Sequence, residues 1–270
     1  MSFTSFYKTS LGFARVAILA NLEYRLNFII DAVIQPFLYC LVEFMFWLGI
    51  FRWSGSQTIN GHDRSSYFAY ALMIPFFTRI STNWMYEFRM TSEVSSGRVN
   101  AILARPVTFY HVHLSELLGY KFIVALCSFW LPFAVLSFFD LPLIMNRLPL
   151  AVAMLALAVI FTYNLGFILS GLAFYFTRVG SFTVMKNMLM WVLAGEVLPV
   201  DALPEFIRPL VLNLPFVCGG YLPVAYLTGR IQEDLMLRGF VSVTLGIVLT
   251  GIMGSFLWKR GLRSYTGTGA

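Results

Sequence analysis

Six long, predominantly apolar runs constrain this chain more than any other feature. They are Leu26 to Ile50, Tyr67 to Tyr86, Leu117 to Phe139, Leu148 to Phe176, Phe182 to Val200 and Phe240 to Trp258. A helix of about 18 or more apolar residues crosses a hydrocarbon core of about 30 Å. The runs lack the roughly ten-residue alternation of lipid-facing barrel strands, so the fold expected is helical. Composition agrees, with 59% hydrophobic and 12% charged residues over 270 positions. Ordinary soluble domains carry about 25% charged residues, and a chain this apolar could not cover its own surface in water. The fold class is therefore an all-α membrane protein of six transmembrane helices, forming one domain over residues 1–270.

Two further segments shape that topology. Residues 1–25 hold a short apolar stretch broken by Arg15, with Glu23 and Arg25 before the first run. Phe6, Phe13, Val16, Ala17 and Ala20 recur at roughly helical spacing, which reads as an amphipathic helix lying in the membrane interface. The stretch "PLVLNLPFVCGGYLPVAYLTG", Pro209 to Gly229, is long enough to cross. Pro215 and the Gly219–Gly220 pair would break a continuous helix there. Of the two possibilities, a crossing and a hairpin, a crossing would put Lys259, Arg260 and Arg263 outside. A re-entrant hairpin on the outer face, spanning 196–237 between helices five and six, is the reading adopted. Twelve of the nineteen Lys and Arg residues then fall on the side of the termini and six on the other, with Arg79 inside the second span. The positive-inside rule assigns both termini to the cytoplasm.

Chemistry is sparse. No G-x-x-x-x-G-K-[ST] phosphate loop, H-E-x-x-H or G-x-S-x-G occurs. Cys40, Cys127 and Cys218 have no metal-ligand spacing and read as buried apolar groups. His111 and His113 lie two residues apart in a loop and read as surface groups, with His62 far away, so no metal site and no cluster for a membrane-embedded enzyme is expected. Intramembrane charges are more informative. Asp31 and Glu43 fall in the first span and Arg79 in the second. At 1.5 Å per residue Asp31 stands ~9 Å and Arg79 ~13 Å above the cytoplasmic end, depths compatible with a pair. Glu43 stands ~27 Å up, within reach of Arg52. The pair either lines a substrate path or locks the fold. Gly166, Ser170 and Gly171, and Gly246, Thr250 and Gly254, have the spacing that lets helices approach closely, within the chain or between copies.

The polar segment 87–116, between spans two and three, contains "SSGRVNAILARPVTFYHVH". Gly97 breaks the chain and Pro106 disfavours helix at Arg105. Between them Val99, Ile102 and Leu103 form a short apolar face, the geometry of a docking element or of a plain connector.

"SGRVNAILARPVTFY" resembles the loop signature of ABC-2 type transporter permeases, in a poorly characterised bacterial subgroup. The proline-punctuated "LPVDALPEFIRPLVLNLPFVCGGYLPVAYLTG" and the tail "LWKRGLRSYTGTGA" are similar to the same subgroup in the same order. The resemblance covers nearly the whole chain, and Arg98, Arg105 and Pro106 carry it most directly. It implies the permease subunit of an ATP-binding cassette transporter, not itself an enzyme, in the bacterial cytoplasmic (inner) membrane. The partners implied are a cytoplasmic ATPase holding ATP and Mg, a second permease copy or related chain, and membrane lipid. No cofactor belongs to this chain and no nucleic acid is expected. Glu87, Arg89, Glu93, Arg98, Arg105 and Pro106 would couple to the ATPase. Glu196, Pro199, Pro215, Gly219 and Gly220 would belong to an outer gate. The class mostly exports. The rival reading is an ion-coupled secondary transporter using Asp31, Glu43 and Arg79, which would usually show an inverted repeat; the two halves show none.

Overall fold

A computed structural model describes residues 3–266 apart from Thr177, with side chains from Tyr7 onward. Phe6 of the expected N-terminal face, and the Gly267–Ala270 end of the tail motif, lie outside the described residues. Among the described residues the chain is all-α but for one two-stranded hairpin, β1 Thr58–Ile59 with β2 His62–Asp63. Asn60 and Gly61 turn that hairpin at φ 49° and 78°, the left-handed pair such a turn needs.

Four helical stretches are long and apolar enough to cross a membrane: Arg25–Ser54, Phe109–Phe138, Met145–Leu172 and Glu233–Ser264. The first comprises α2 Arg25–Ile29, a π-helical turn Ile30–Ile34 and α3 Gln35–Ser54. Pro36 explains the π turn, because proline offers no N–H to the carbonyl four residues back and the helix must widen to accommodate it. The later three contain α7 Phe109–Ser128 with α8 Leu131–Phe138, α9 Leu148–Leu172 and α13 Glu233–Ser264. Their outward sides carry apolar groups that water would not tolerate, among them Phe122, Leu126, Leu249 and Ile252.

The second and fifth apolar runs form shorter helices. The second is α4 Arg64–Ser81, which stops at Thr82 and resumes as α5 Trp84–Ser95. Nothing in the local sequence marks that stop. The Asn83 side chain makes it, donating to the Val159 carbonyl at 3.2 Å and the Thr162 hydroxyl at 2.7 Å on α9. The fifth is α10 Gly180–Leu193, closed by Gly195 at φ 79°. The segment that follows is a chain of short pieces: a 3₁₀ turn Val200–Ala202, α11 Arg208–Leu212, a 3₁₀ turn Pro215–Gly219 and α12 Tyr221–Leu227. Every residue of α12 is buried.

Packing resolves the small-residue question. A Cβ on Gly254 would fall 2.8 Å from the Phe167 ring, and one on Gly171 3.1 Å from Leu257. Gly171 and Gly254 therefore let α9 and α13 approach each other within one chain, while Gly166 faces α5 and Gly246 meets Pro215 as well as Phe161 of α9. Along α1 Phe3–Glu23, the side turned to the protein runs through Phe13, Ala14, Ala17, Ile18 and Asn21, while Val16 and Ala20 are exposed. Of the expected face, Phe13 and Ala17 are thus turned to the protein and Val16 and Ala20 away from it. The cause is Gly119 of α7, where a Cβ would lie 2.5 Å from the Ala14 carbonyl oxygen, so close contact selects Ala14 rather than the larger residues.

Candidate functional site

The segment between α4 and α7 is built on α5. Its buried residues, Glu87, Met90, Thr91 and Val94, follow the i, i+3, i+4, i+7 spacing of one helical face. Glu87 was expected among the residues that couple outward, and its position on that face puts it in the interior instead. Its carboxylate is completely enclosed and accepts from Lys186 Nζ at 2.5 Å and Asn187 Nδ2 at 3.1 Å, both on α10. Gly166 makes the room, since a Cβ there would meet Glu87 Cγ at 2.6 Å.

Past α5, Gly97 at φ 76° turns the chain into α6 Asn100–Leu103. Val99 is buried beneath the turn, Ile102 is half-buried and Leu103 is exposed. Thr108 caps α7, accepting from the His111 amide at 3.3 Å. Arg98, Arg105 and Pro106 are all exposed. Arg98 is nevertheless oriented, donating to the Ser96 and Ser92 hydroxyls at 3.2 and 3.1 Å.

Below this turn, α5 and α7 are clasped by charge. Glu93 accepts from Arg89 at 3.0 Å and from His113 Nε2 at 2.9 Å. Arg89 also reaches Glu116 on α7 at 2.8 Å. His113, read from sequence as a surface group, is fully buried. It lies one turn into α7 on the side facing α5, where the ring sits tilted at 59° against Phe109 with centroids 4.3 Å apart. Burial alone would raise the Glu93 carboxyl, but the His113 hydrogen bond and charge, and the Arg89 guanidinium, outweigh it and hold it below the ordinary value. A cavity of about 380 Å³ separates α1 from this region, lined by Phe13, Arg105, Pro106 and His111 among others.

Within the apolar layer, Asp31 and Arg79 form an ion pair, with Tyr120 accepting from Arg79 at 2.8 Å and donating to Asp31. The π turn carries Asp31, which sequence spacing treated as ordinary α-helix. Lys121, counted from sequence among the twelve cations on the side of the termini, is buried on the neighbouring turn. It donates to the backbone carbonyls of Arg79 and Thr82, capping the end of α4. Glu43 makes no ion pair with Arg52 or any other cation among the described residues. It lines instead a cavity of about 320 Å³ with Tyr39, Arg79, Trp84, Trp191 and Glu196.

The other expected residues lie around the short-helix segment. Pro199 is buried, Pro215 packs against Gly246, and Gly219 faces Ser81 of α4. A Cβ on Gly220 would lie 2.6 Å from the Ala194 carbonyl oxygen. Sequence reasoning missed the charges that tie this segment down. Arg230 lies over the Tyr67 and Tyr70 rings at 4.1 and 5.0 Å and donates to Asp201 at 3.1 Å. His62 approaches the same carboxylate at 3.3 Å, and Asn60 donates to the Asp201 carbonyl at 3.1 Å. Burial and Arg230 push the His62 pKa down against the opposing pull of Asp201. The only signal available in advance was that Asp201 and Arg230 flank the proline-rich stretch.

Three features of the chain are now fixed in relation to one another: an exposed basic turn over a charged clasp, a cavity lined by carboxylates and aromatic rings, and a segment of short buried helices. No curated protein matches the chain. The sequence model of a family described as "ABC-2 family transporter protein" matches residues 37–269, which takes in the cavity, the turn and the short-helix segment. The chain is a multi-pass membrane transport protein and belongs to the ABC-2 transporter family.

Proposed function

We propose that the chain is the permease subunit of an ATP-driven exporter, working with a second permease and a pair of cytoplasmic ATP-binding cassette subunits that hold ATP and Mg. The observation that carries this reading is the turn at 96–108. Arg98, Arg105 and Pro106 stand exposed on it, while its two supporting helices are joined through Glu93, Arg89, His113 and Glu116. An exposed contact on a clasped base suits the transfer of motion from a moving ATPase. Glu87 then acts behind that contact, handing movement of α5 to α10 through Lys186 and Asn187.

In this reading α4 with the start of α5, and α10 with the turn after it, are the second and fifth of six spans. Helix α1 lies in the cytoplasmic interface and braces the turn. The 196–237 segment re-enters from the outside and forms the gate with Glu196, Pro199, Pro215, Gly219 and Gly220. Removing the buried Lys121 from the cytoplasmic tally of twelve, and the buried Arg230 from the outer six, leaves eleven against five. That supports cytoplasmic termini in a bacterial inner membrane.

The test is a mild-detergent pull-down of the tagged protein from its host. A stoichiometric Walker-motif ATPase, lost on scrambling 96–108, is expected. Arg98→Glu and Arg105→Glu should each leave the protein folded and inserted but abolish ATP-linked transport. A second reading, an ion-coupled carrier, draws on the intramembrane carboxylates Glu43 and Glu196, and a clean complex lacking any ATPase would favour it.

A further inference from the structure

The 320 Å³ cavity has three walls. Tyr39 and Glu43 come from α3, Arg79 and Trp84 from either side of the α4–α5 break, and Trp191 and Glu196 from α10 and the turn after it. Its charges do not balance. Arg79 is neutralised by Asp31 and further held by Tyr120. Glu43 and Glu196 make no ion pair among the described residues. The cavity therefore carries a surplus of negative charge whenever these two groups ionise. An uncompensated carboxylate at membrane depth is costly, and a counter-charge from outside the chain relieves that cost.

The rest of the lining narrows that counter-charge. Tyr39, Trp84 and Trp191 all line the cavity, so its wall carries three aromatic rings. Aromatic faces attract cations and favour substituted, weakly hydrated ones over small hydrated ions. Two carboxylates do not make a metal cage, and no group of three His, Cys, Asp or Glu that could hold a metal occurs among the described residues. Pro36, Val42, Pro75 and Val197 supply apolar surface beside the charges. The volume suits a small organic molecule.

We propose that this cavity is the site for an amphiphilic organic cation, with Glu43 and Glu196 as counter-charges and Trp84 and Trp191 as the aromatic faces. The assignment rests on the permease reading above and gives it a substrate class. An anion is disfavoured because the one cation in the wall is already paired. A neutral lipid is disfavoured because it would supply neither ionised carboxylate with a counter-charge.

The test uses the full-length protein in detergent, titrated with tetraphenylphosphonium and, as a control of the same shape and opposite charge, tetraphenylborate. The wild type should bind the cation at least about tenfold more tightly than the anion, and Glu43→Gln and Glu196→Gln should each weaken cation binding about tenfold. Trp191→Leu should weaken it several-fold with both carboxylates intact. Gel filtration and melting temperature show which variants are folded, and the near-isosteric glutamine changes keep at least one in hand. Equal affinity for the two probes in the wild type would overturn the proposal, as would unchanged cation affinity in both glutamine variants. ATPase recovery in the pull-down without charge-selective binding sinks the cation site and leaves the permease standing. Charge-selective binding without any ATPase keeps the site and removes the permease.

Discussion

At the α5–α7 end, Glu93 divides its carboxylate between Arg89 and His113, and Arg89 continues to Glu116 with half of its side chain in solvent. At the other end, the Arg230 side chain is completely enclosed, lying over two tyrosines and bound to Asp201 beside His62. Both are charge networks, but they behave differently under strain. The first has several partners at the rim of water, so one contact can lengthen while another shortens and solvent fills the gap. The second offers no substitute, and parting its members strands charge in a low-dielectric interior. The first network is therefore the divisible one and the second the rigid one. The short-helix segment, with every residue of α12 buried, moves as a block if it moves at all.

Arg230→Met gives the largest expected effect. It leaves Asp201 buried without its cation and should cost about 3–5 kcal/mol, read as a large drop in melting temperature in detergent. Asp201→Asn combined with Arg230→Met should recover much of the loss. A wild-type melt for Arg230→Met alone would erase the contrast between the two ends.

Glu87→Gln should come next, at about 1–3 kcal/mol. The amide keeps a contact to Asn187 but removes the charge facing Lys186, which is itself only 14% exposed. Lys186→Met in the same background should restore part of the stability. If Glu87→Gln melts like the wild type, the link from α5 to α10 is not an energetic one.

Acid titration probes the divisible end. The folded Glu93 carboxyl sits below an ordinary glutamate's 4.5, so its contribution to stability is full above that value. It disappears as pH falls through the lowered folded pKa. Arg89, His113 and Glu116 are the other charged or titratable groups of the clasp. Amide exchange across 96–108 should be flat from neutral pH to about 5, after correction for intrinsic rates, and speed up only in stronger acid. Protection lost already near neutrality would show that Glu93 does not hold the clasp.

Arg98→Glu and Arg105→Glu close the series, with stability changes within about 0.5 kcal/mol because both side chains are exposed. Loss of transport at unchanged melting temperature is the expected pairing. A marked drop in stability would mean that the turn is a structural strut.

The apolar runs were legible in the sequence because hydropathy is additive along the chain. Helix breaks at Gly97 and Pro106 were equally open to reading, since φ above zero and a missing N–H are local properties. The stop at Thr82–Asn83 was not, because a carbonyl and a hydroxyl on α9 produce it. The candidate site shows the same division. Exposure of Arg98 and Arg105 followed from their place between breaks, whereas the burial of His113 and Lys121 depended on neighbours that only folding brings.

By itself, then, the sequence determined that this chain is a bundle of apolar helices with a basic, broken turn and a proline-interrupted segment. Only the tertiary structure decided which charges meet. Glu87 finds Lys186 across 99 positions and Tyr120 finds Asp31 across 89, while Glu43 and Glu196 come to share one cavity. Hydropathy and backbone stereochemistry act within a few residues, so a one-dimensional pattern records them. The partner of a buried charge is set by helix packing, and here that packing turns on the glycines at 119, 166, 171 and 254, where a single methyl group would force the helices apart.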